Sequence, residues 1–204
     1  MSRMNRCSAL GRLGWALTVL VWLGACSGAG GGSATASLRR PAEPFLAPYV
    51  VTPQEVVDEM LRMADVGRGD LIYDLGSGDG RIVIEAARRY GARGVGIELD
   101  PELIRRAQDN ARRASVSHLV EFRQQDVMTV DLSPATVVTL YLSREANLRL
   151  RPRLRSQLRP GARVVSHEFT MGDWEPRTIL RVREESGGLR TLYLWRIESS
   201  RPGE

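Results

Sequence analysis

The run Tyr73-Asp74-Leu75-Gly76-Ser77-Gly78-Asp79-Gly80-Arg81 sets carboxylates and glycines side by side, directly after the apolar pair Leu71-Ile72. It reads as a strand that turns through glycines into a helix. Glycine takes positive φ without penalty and lets a ligand approach the main chain, and the N–H groups that open a helix suit a carboxylate or phosphate.

The spacing separates two nucleotide ligands. A dinucleotide pyrophosphate wants Gly-x-Gly-x-x-Gly over a helix N-terminus, whereas this run gives Gly76-x-Gly78-x-Gly80. Asp74 and Asp79 flank the loop, and two negative charges oppose a pyrophosphate but favour a cation. S-adenosylmethionine carries a sulfonium, an ammonium and only one carboxylate.

Two further acids sit at the ends of strand-like runs. Gly94-Val95-Gly96-Ile97 delivers Glu98, in the place of a carboxylate that grips ribose hydroxyls, and Pro101 suits the first turn of a following helix. Val120-Glu121-Phe122-Arg123-Gln124-Gln125 delivers Asp126, suited to the adenine amino group. Open α/β sheets bind ligands at the carboxyl ends of their strands, so three such acids reinforce one another.

These residues resemble the class I S-adenosylmethionine-dependent methyltransferases. Asp74 to Gly80 is similar to their first motif, so that Asp74, Gly76, Ser77 and Gly78 hold the cofactor, with Glu98 on the ribose and Asp126 on the adenine. A narrower resemblance runs from about Pro48 to Ile197. It rests on Tyr49-Val50-Val51-Thr52-Pro53-Gln54-Glu55-Val56-Val57, on Gly161-Ala162-Arg163-Val164-Val165-Ser166-His167-Glu168-Phe169, and on Leu192-Tyr193-Leu194-Trp195. These are similar to the lysine methyltransferases of the adenine nucleotide translocase and of the ATP synthase c subunit, with their prokaryotic relatives. The resemblance adds Thr52 to the cofactor residues and implies a protein lysine acceptor, with a membrane protein among the candidates.

The elements that position these residues alternate. Pro53 to Ala64 carries a helical stripe of Val56, Val57, Met60, Leu61 and Ala64, with Thr52 as its cap, and is expected to cover one end of the cofactor cleft. Strands are expected at Leu71–Leu75, Gly94–Glu98, Val120–Gln125, Thr136–Tyr141 and Arg163–Phe169, and helices at Arg81–Tyr90, Pro101–Ala114 and Arg144–Leu158, the last interrupted at Pro152. Val127 to Ala135 is too short for a crossover helix. Thr178–Val182 and Thr191–Ile197 flank the turn Ser186-Gly187-Gly188 and read as a closing hairpin. The pattern is α/β: a Rossmann-like, mainly parallel seven-stranded sheet with helices on both faces and a C-terminal antiparallel hairpin. The resemblance implies the order 3-2-1-4-5-7-6 with one antiparallel strand.

Methyl transfer from a sulfonium is an in-line displacement that needs contact, alignment and exclusion of water rather than a catalytic triad. The acceptor pocket is expected past the fourth strand, at Tyr141, and near His167, Glu168 and Trp174. Tyr141 and Trp174 can wall an alkylammonium channel, and Glu168 can steer the cation or take its proton. Tyr141 and Glu168 are the catalytic candidates. Trp174 as a packing residue and His167 as a hydrogen-bonded core histidine are the competing readings. The absence of Asn/Asp-Pro-Pro-Tyr/Phe at the fourth strand weighs against an amide or adenine-amino acceptor.

The first 25 residues have a different character. Arg3, Arg6 and Arg12 precede the apolar run Leu13–Leu23, too short for a comfortable span, and Leu23-Gly24-Ala25-Cys26 resembles a bacterial lipobox with Cys26 as the lipidated residue. Residues 1–25 read as a signal peptide or an uncleaved N-terminal anchor, 26–47 as a flexible tether rich in Gly, Ala and Ser, and 48–204 as the catalytic domain. Membrane association follows. Its side stays open, because S-adenosylmethionine is made in the cytoplasm.

Composition narrows the alternatives. The formal charge is +5, yet without the three arginines ahead of Cys26 the remaining 26 arginines face 24 acids, which gives little support for nucleic-acid binding. Both cysteines, Cys7 and Cys26, precede the domain, and His118 and His167 make no metal cluster, so neither a disulfide framework nor a metal site is expected. Oligomeric state is not legible. A small-molecule methyltransferase and a non-catalytic tethered lipoprotein with a vestigial cleft remain as alternatives, and an NAD-dependent oxidoreductase is disfavoured by the glycine spacing.

Overall fold

A computed structural model describes residues 49–199. The expected signal segment, the tether and Cys26 lie outside the described residues. Elements follow in the order α1 (Gln54–Met63), β1 (Leu71–Leu75), α2 (Arg81–Tyr90), β2 (Arg93–Glu98), α3 (Pro101–Arg113), β3 (Val120–Gln124), β4 (Val137–Leu140), α4 (Arg144–Gln157), β5 (Arg163–His167), β6 (Thr178–Arg183) and β7 (Leu189–Arg196). Among the described residues no helix is long and apolar enough to cross a membrane.

The strands form one seven-stranded sheet in the order β3-β2-β1-β4-β5-β7-β6, parallel except for β7, which runs antiparallel to both neighbours. Order and the single antiparallel strand match the expectation. Side chains alternate across the sheet, so adjacent residues feed different cores. Ile72, Val137, Val165 and Leu192 pack beneath α1 and α2, against Val56, Val57, Met60, Ile82 and Val83. Tyr73, Val138, Val164 and Trp195 face the other way, onto Leu150 and Leu154 of α4. The connection from β3 to β4 contains no helix, as its length required. Val127, Val130, Leu132 and Ala135 from that loop fill the space instead.

Three local expectations fail for identifiable reasons. Helix α4 passes through Pro152 without ending. Leu150 and Leu154, on either side of the proline, are both fully buried, while Arg151 donates to the Met171 carbonyl at 3.0 Å and Arg153 to that of Val130 at 2.6 Å. Tertiary packing on both flanks outweighs the roughly 3 kcal/mol that an interior proline costs. Thr52 does not cap α1: Pro53 occupies the N-cap, and its carbonyl accepts the amides of Val56 and Val57. Finally, α1 packs on α2 and the β5-β7-β6 end of the sheet, and the cofactor cleft is covered by the chain that precedes it.

Candidate active site

A cavity of about 580 Å³ opens at the carboxyl ends of β1, β2 and β4. Asp74, Gly76, Ser77 and Gly78 from the loop after β1, Glu98 from the end of β2, Thr52 ahead of α1 and Tyr141 past β4 all line it. Asp79, Arg81, Asp100, Val127 and Leu142 complete much of the wall.

The glycine loop is fixed from several sides. The amides of Gly76 and Ser77 both donate to the Ile97 carbonyl, at 2.8 and 3.0 Å. The Gly78 amide donates to one Glu98 carboxylate oxygen at 2.9 Å, while the other oxygen accepts the amides of Leu99 at 2.7 Å and Asp100 at 3.1 Å. Three amides therefore aim one carboxylate at the cavity. The glycines divide their work. A Cβ on Gly78, at φ +54°, would meet the exposed ring of Tyr49, whereas one on Gly80, at φ +79°, would strike Phe122 and Ala107 within 2.9 Å. Gly80 thus serves the contact between loop, sheet and α3, and stands outside the cavity wall.

The charges differ in state. Asp74 is buried, and burial pushes its carboxyl up to about 7, against the hydrogen bond donated by the Thr139 hydroxyl at 2.7 Å and together with the repulsion of Glu98 and Asp79. Asp79 is also partly buried, yet Arg81 grips both its oxygens, at 2.9 and 2.6 Å, and holds it below the usual carboxylate range. Arg81 spends a further N–H on the Thr52 carbonyl at 2.7 Å, tying the segment ahead of α1 to the loop. Arg81 is thereby committed to protein partners, and the wall presents Asp74, Asp79, Glu98 and Asp100.

This donor set fits S-adenosylmethionine. Four carboxylates and one committed guanidinium suit a ligand with two cationic centres, and Glu98, with three amides on its oxygens, keeps one lone pair for a hydroxyl donor. The Ser77 hydroxyl is buried in the wall with no hydrogen-bond partner. A buried polar atom left unpaired in a native site marks a position completed by a ligand or water.

The remaining predicted residues fall in other places. Asp126 stands beside Val127 just outside the lining, and one of its oxygens accepts the Met128 amide at 2.9 Å. Tyr141 lines the cavity and lays its ring on His167, with centroids 3.9 Å apart. Burial raises its phenol above the ordinary value. His167 is fully buried, but neither ring nitrogen has a hydrogen-bond partner, so it is not the hydrogen-bonded core histidine of the competing reading. Burial, then Arg190, pull its pKa down to about 4, which keeps it neutral. β5 ends at His167, two residues short of expectation, because Glu168 turns the chain at φ +67°. Trp174 packs its ring against Trp195 at 5.7 Å beneath Arg155, away from the cavity wall. Its packing reading holds.

Tyr49, Arg81 and Asp100 were not singled out from the sequence. Arg81 had a signal, as the first helical residue after Asp79 in a loop that needs its charge managed. Tyr49 had none, since its approach to Gly78 depends on the path of the chain before α1.

Comparisons with known proteins agree with this geometry. The family profile of the ANTKMT methyltransferase domain matches residues 74–178. A protein-lysine N-methyltransferase of Saccharolobus islandicus is 42% identical over 151 residues, covering 74% of this chain and 93% of that protein. The mouse adenine nucleotide translocase lysine N-methyltransferase is 37% identical, and the match spans 65% of this chain and 58% of the mouse protein. Among solved structures, an RNA methyltransferase from Salinibacter ruber in complex with S-adenosyl-L-homocysteine is 54% identical, with a TM-score of 0.69, covering 76% of this chain and 98% of that one. With loop, acids and sheet order in place, the chain belongs to the ANTKMT methyltransferase domain family, within the class I S-adenosylmethionine-dependent methyltransferases.

Proposed function

We propose that this enzyme methylates the side-chain amine of protein lysines. When bound, S-adenosylmethionine supplies an electrophilic methyl group on a sulfonium. Asp74, Ser77, Gly76 and Gly78 would hold its amino-acid end, Glu98 its ribose and Asp126, at the rim, its adenine. Tyr141 and Leu142 then form the wall on the acceptor side.

A free lysine near pH 7 must lose a proton before its nitrogen can attack, at a cost of about 4 to 5 kcal/mol. Burial beside Tyr141 and the neutral His167 lowers that cost by disfavouring the charged amine. The observation that carries the reading is the 42% identity to a protein-lysine N-methyltransferase across 93% of that protein, since the acids of the wall serve the cofactor and do not choose the acceptor. The lysine-directed relatives support it. The RNA methyltransferase described from Salinibacter ruber makes an RNA acceptor the reading to test against.

The test is transfer of labelled methyl from S-adenosylmethionine, by the full chain in detergent, into membrane protein, soluble protein and total RNA. Label recovered as methyllysine supports the proposal, and label confined to RNA refutes it. The basic and apolar segment ending at Cys26 supports membrane attachment of this enzyme. Partition into the detergent phase, lost in Cys26→Ser, is the expected result for a lipid anchor.

A further inference from the structure

The end of β5 leaves a carboxylate without a hydrogen bond at a position that strains the backbone. Glu168 has φ +67°, and the Phe169 amide donates to the His167 carbonyl at 2.9 Å. A positive φ under an i to i+2 hydrogen bond is the strained form of the γ-turn, and such strain persists where the surroundings enforce it, often at working sites. The Glu168 amide donates to the Thr191 carbonyl of β7 at 2.7 Å, which anchors the turn to the antiparallel strand.

The turn brings one Glu168 oxygen to 3.9 Å from His167 Nε2 and 3.8 Å from Arg190 Nη1, both too long for hydrogen bonds. Among the described residues the Glu168 carboxylate accepts no hydrogen bond, and its side chain is 27% exposed. Arg190 is committed on its other side, where Nε pairs with Glu184, itself held by the Ser186 hydroxyl. Glu168 stands outside the cavity lining, and Tyr141, which does line it, lies in the field of all three charges.

We infer that Glu168 receives the positive charge of the acceptor amine, and that Arg190 is a positioning residue that limits how firmly the charged amine is held. The inference rests on the lysine reading above. A lone carboxylate beside an ammonium stabilises the form that cannot react, and a guanidinium a few ångströms behind it opposes that effect. The ammonium gives one proton to water, and the neutral nitrogen keeps the lone pair that attacks. The groups facing it are Tyr141 from the end of β4, His167 from β5, Glu184 from β6 to β7 and Arg190 from β7. Tyr141 and His167 are neutral, and Glu184 and Arg190 cancel, so Glu168 leaves the cluster with a single net negative charge. Loss of the Arg190 charge doubles it.

The test uses the full chain saturated with S-adenosylhomocysteine and N-acetyl-lysine methylamide as the probe. Binding is followed by the imidazole NMR signals, since the chain has only His118 and His167. Arg190→Gln should tighten the probe at pH 7 by roughly three- to tenfold, the effect of one charge at a few ångströms behind partial screening. Glu168→Gln should weaken it by a similar factor. Arg190→Lys should behave as wild type, and the double variant Arg190→Gln/Glu184→Gln, which restores one net negative charge, should return the affinity to wild type. A purely structural role for Arg190 predicts further loss in the double variant and no tightening in the single one. Unchanged or weaker binding in Arg190→Gln, with a wild type that binds, overturns this inference alone. A wild type with no saturable shift overturns it together with the lysine reading.

Discussion

The Gly78 amide donates to the Glu98 carboxylate at 2.9 Å, joining the glycine loop to the end of the neighbouring strand across twenty residues of sequence. One side chain therefore sets the shape of the loop and also lines the cavity, where the proposed reading has it accept from the cofactor. Removing it withdraws both functions.

Glu98→Ala should weaken S-adenosylmethionine binding by roughly 1 to 3 kcal/mol and lower apo stability by about 1 kcal/mol, since three amides lose their acceptor. Glu98→Gln keeps one carbonyl oxygen for Leu99 and Asp100 but turns a donor on the Gly78 amide, so it should recover only part of the stability and little of the affinity. Calorimetric titration and urea unfolding separate the two effects. Unchanged affinity in Glu98→Ala would remove this residue from the site.

Asp74 makes stability and binding depend on pH in opposite directions. Its folded pKa, about 7, stands above the ordinary 3.8, so the folded apo protein holds a proton that the unfolded chain releases between those values. The resulting stability is present below about pH 4 and is lost as pH rises through 7. A cationic ligand favours the ionised form, so binding near pH 6 should expel a proton. Titrations in buffers of different ionisation enthalpy measure it. Asp74→Asn should abolish the proton release, weaken binding, and raise the apo melting temperature at pH 8.

Gly80→Ala should cost about 2 to 4 kcal/mol of stability, because its Cβ meets Phe122 and Ala107 in the packed interior at a positive φ. Gly78→Ala, which meets only the exposed Tyr49 ring beyond its own backbone strain, should cost less stability and more cofactor affinity. Chemical unfolding of the two variants side by side gives the contrast.

Tyr49→Ala should speed cofactor release while leaving the melting temperature within about a degree of wild type. The residue is 44% exposed and its ring lies over Gly78, so its removal opens the cavity without disturbing a core. Stopped-flow dissociation of S-adenosylmethionine reads the effect.

Local patterns carried the sheet and much of the cavity lining. Glycine spacing marked the first loop and an apolar run ending in an acid marked Glu98, because those signals lie within a few residues of one another, whereas the same signal at Asp126 led to a residue just outside the lining. The errors came from distant contacts. Pro152 stays helical through packing at Leu150 and Leu154, and His167 is buried with the Tyr141 ring laid on it from the end of another strand. Arg190 and Glu184 meet Glu168 only through the antiparallel register, which no short window of sequence contains.

The insertion of β7 between β5 and β6 divides the enzyme's labour along the chain. Most of the cavity lining comes from the first half of the fold, while Glu184 and Arg190, which stand near Glu168, come from a hairpin beginning at Thr178. Such an arrangement is modular. On the proposed reading, exchanging that hairpin should alter the hold on the acceptor while the glycine loop and Glu98 stay in place.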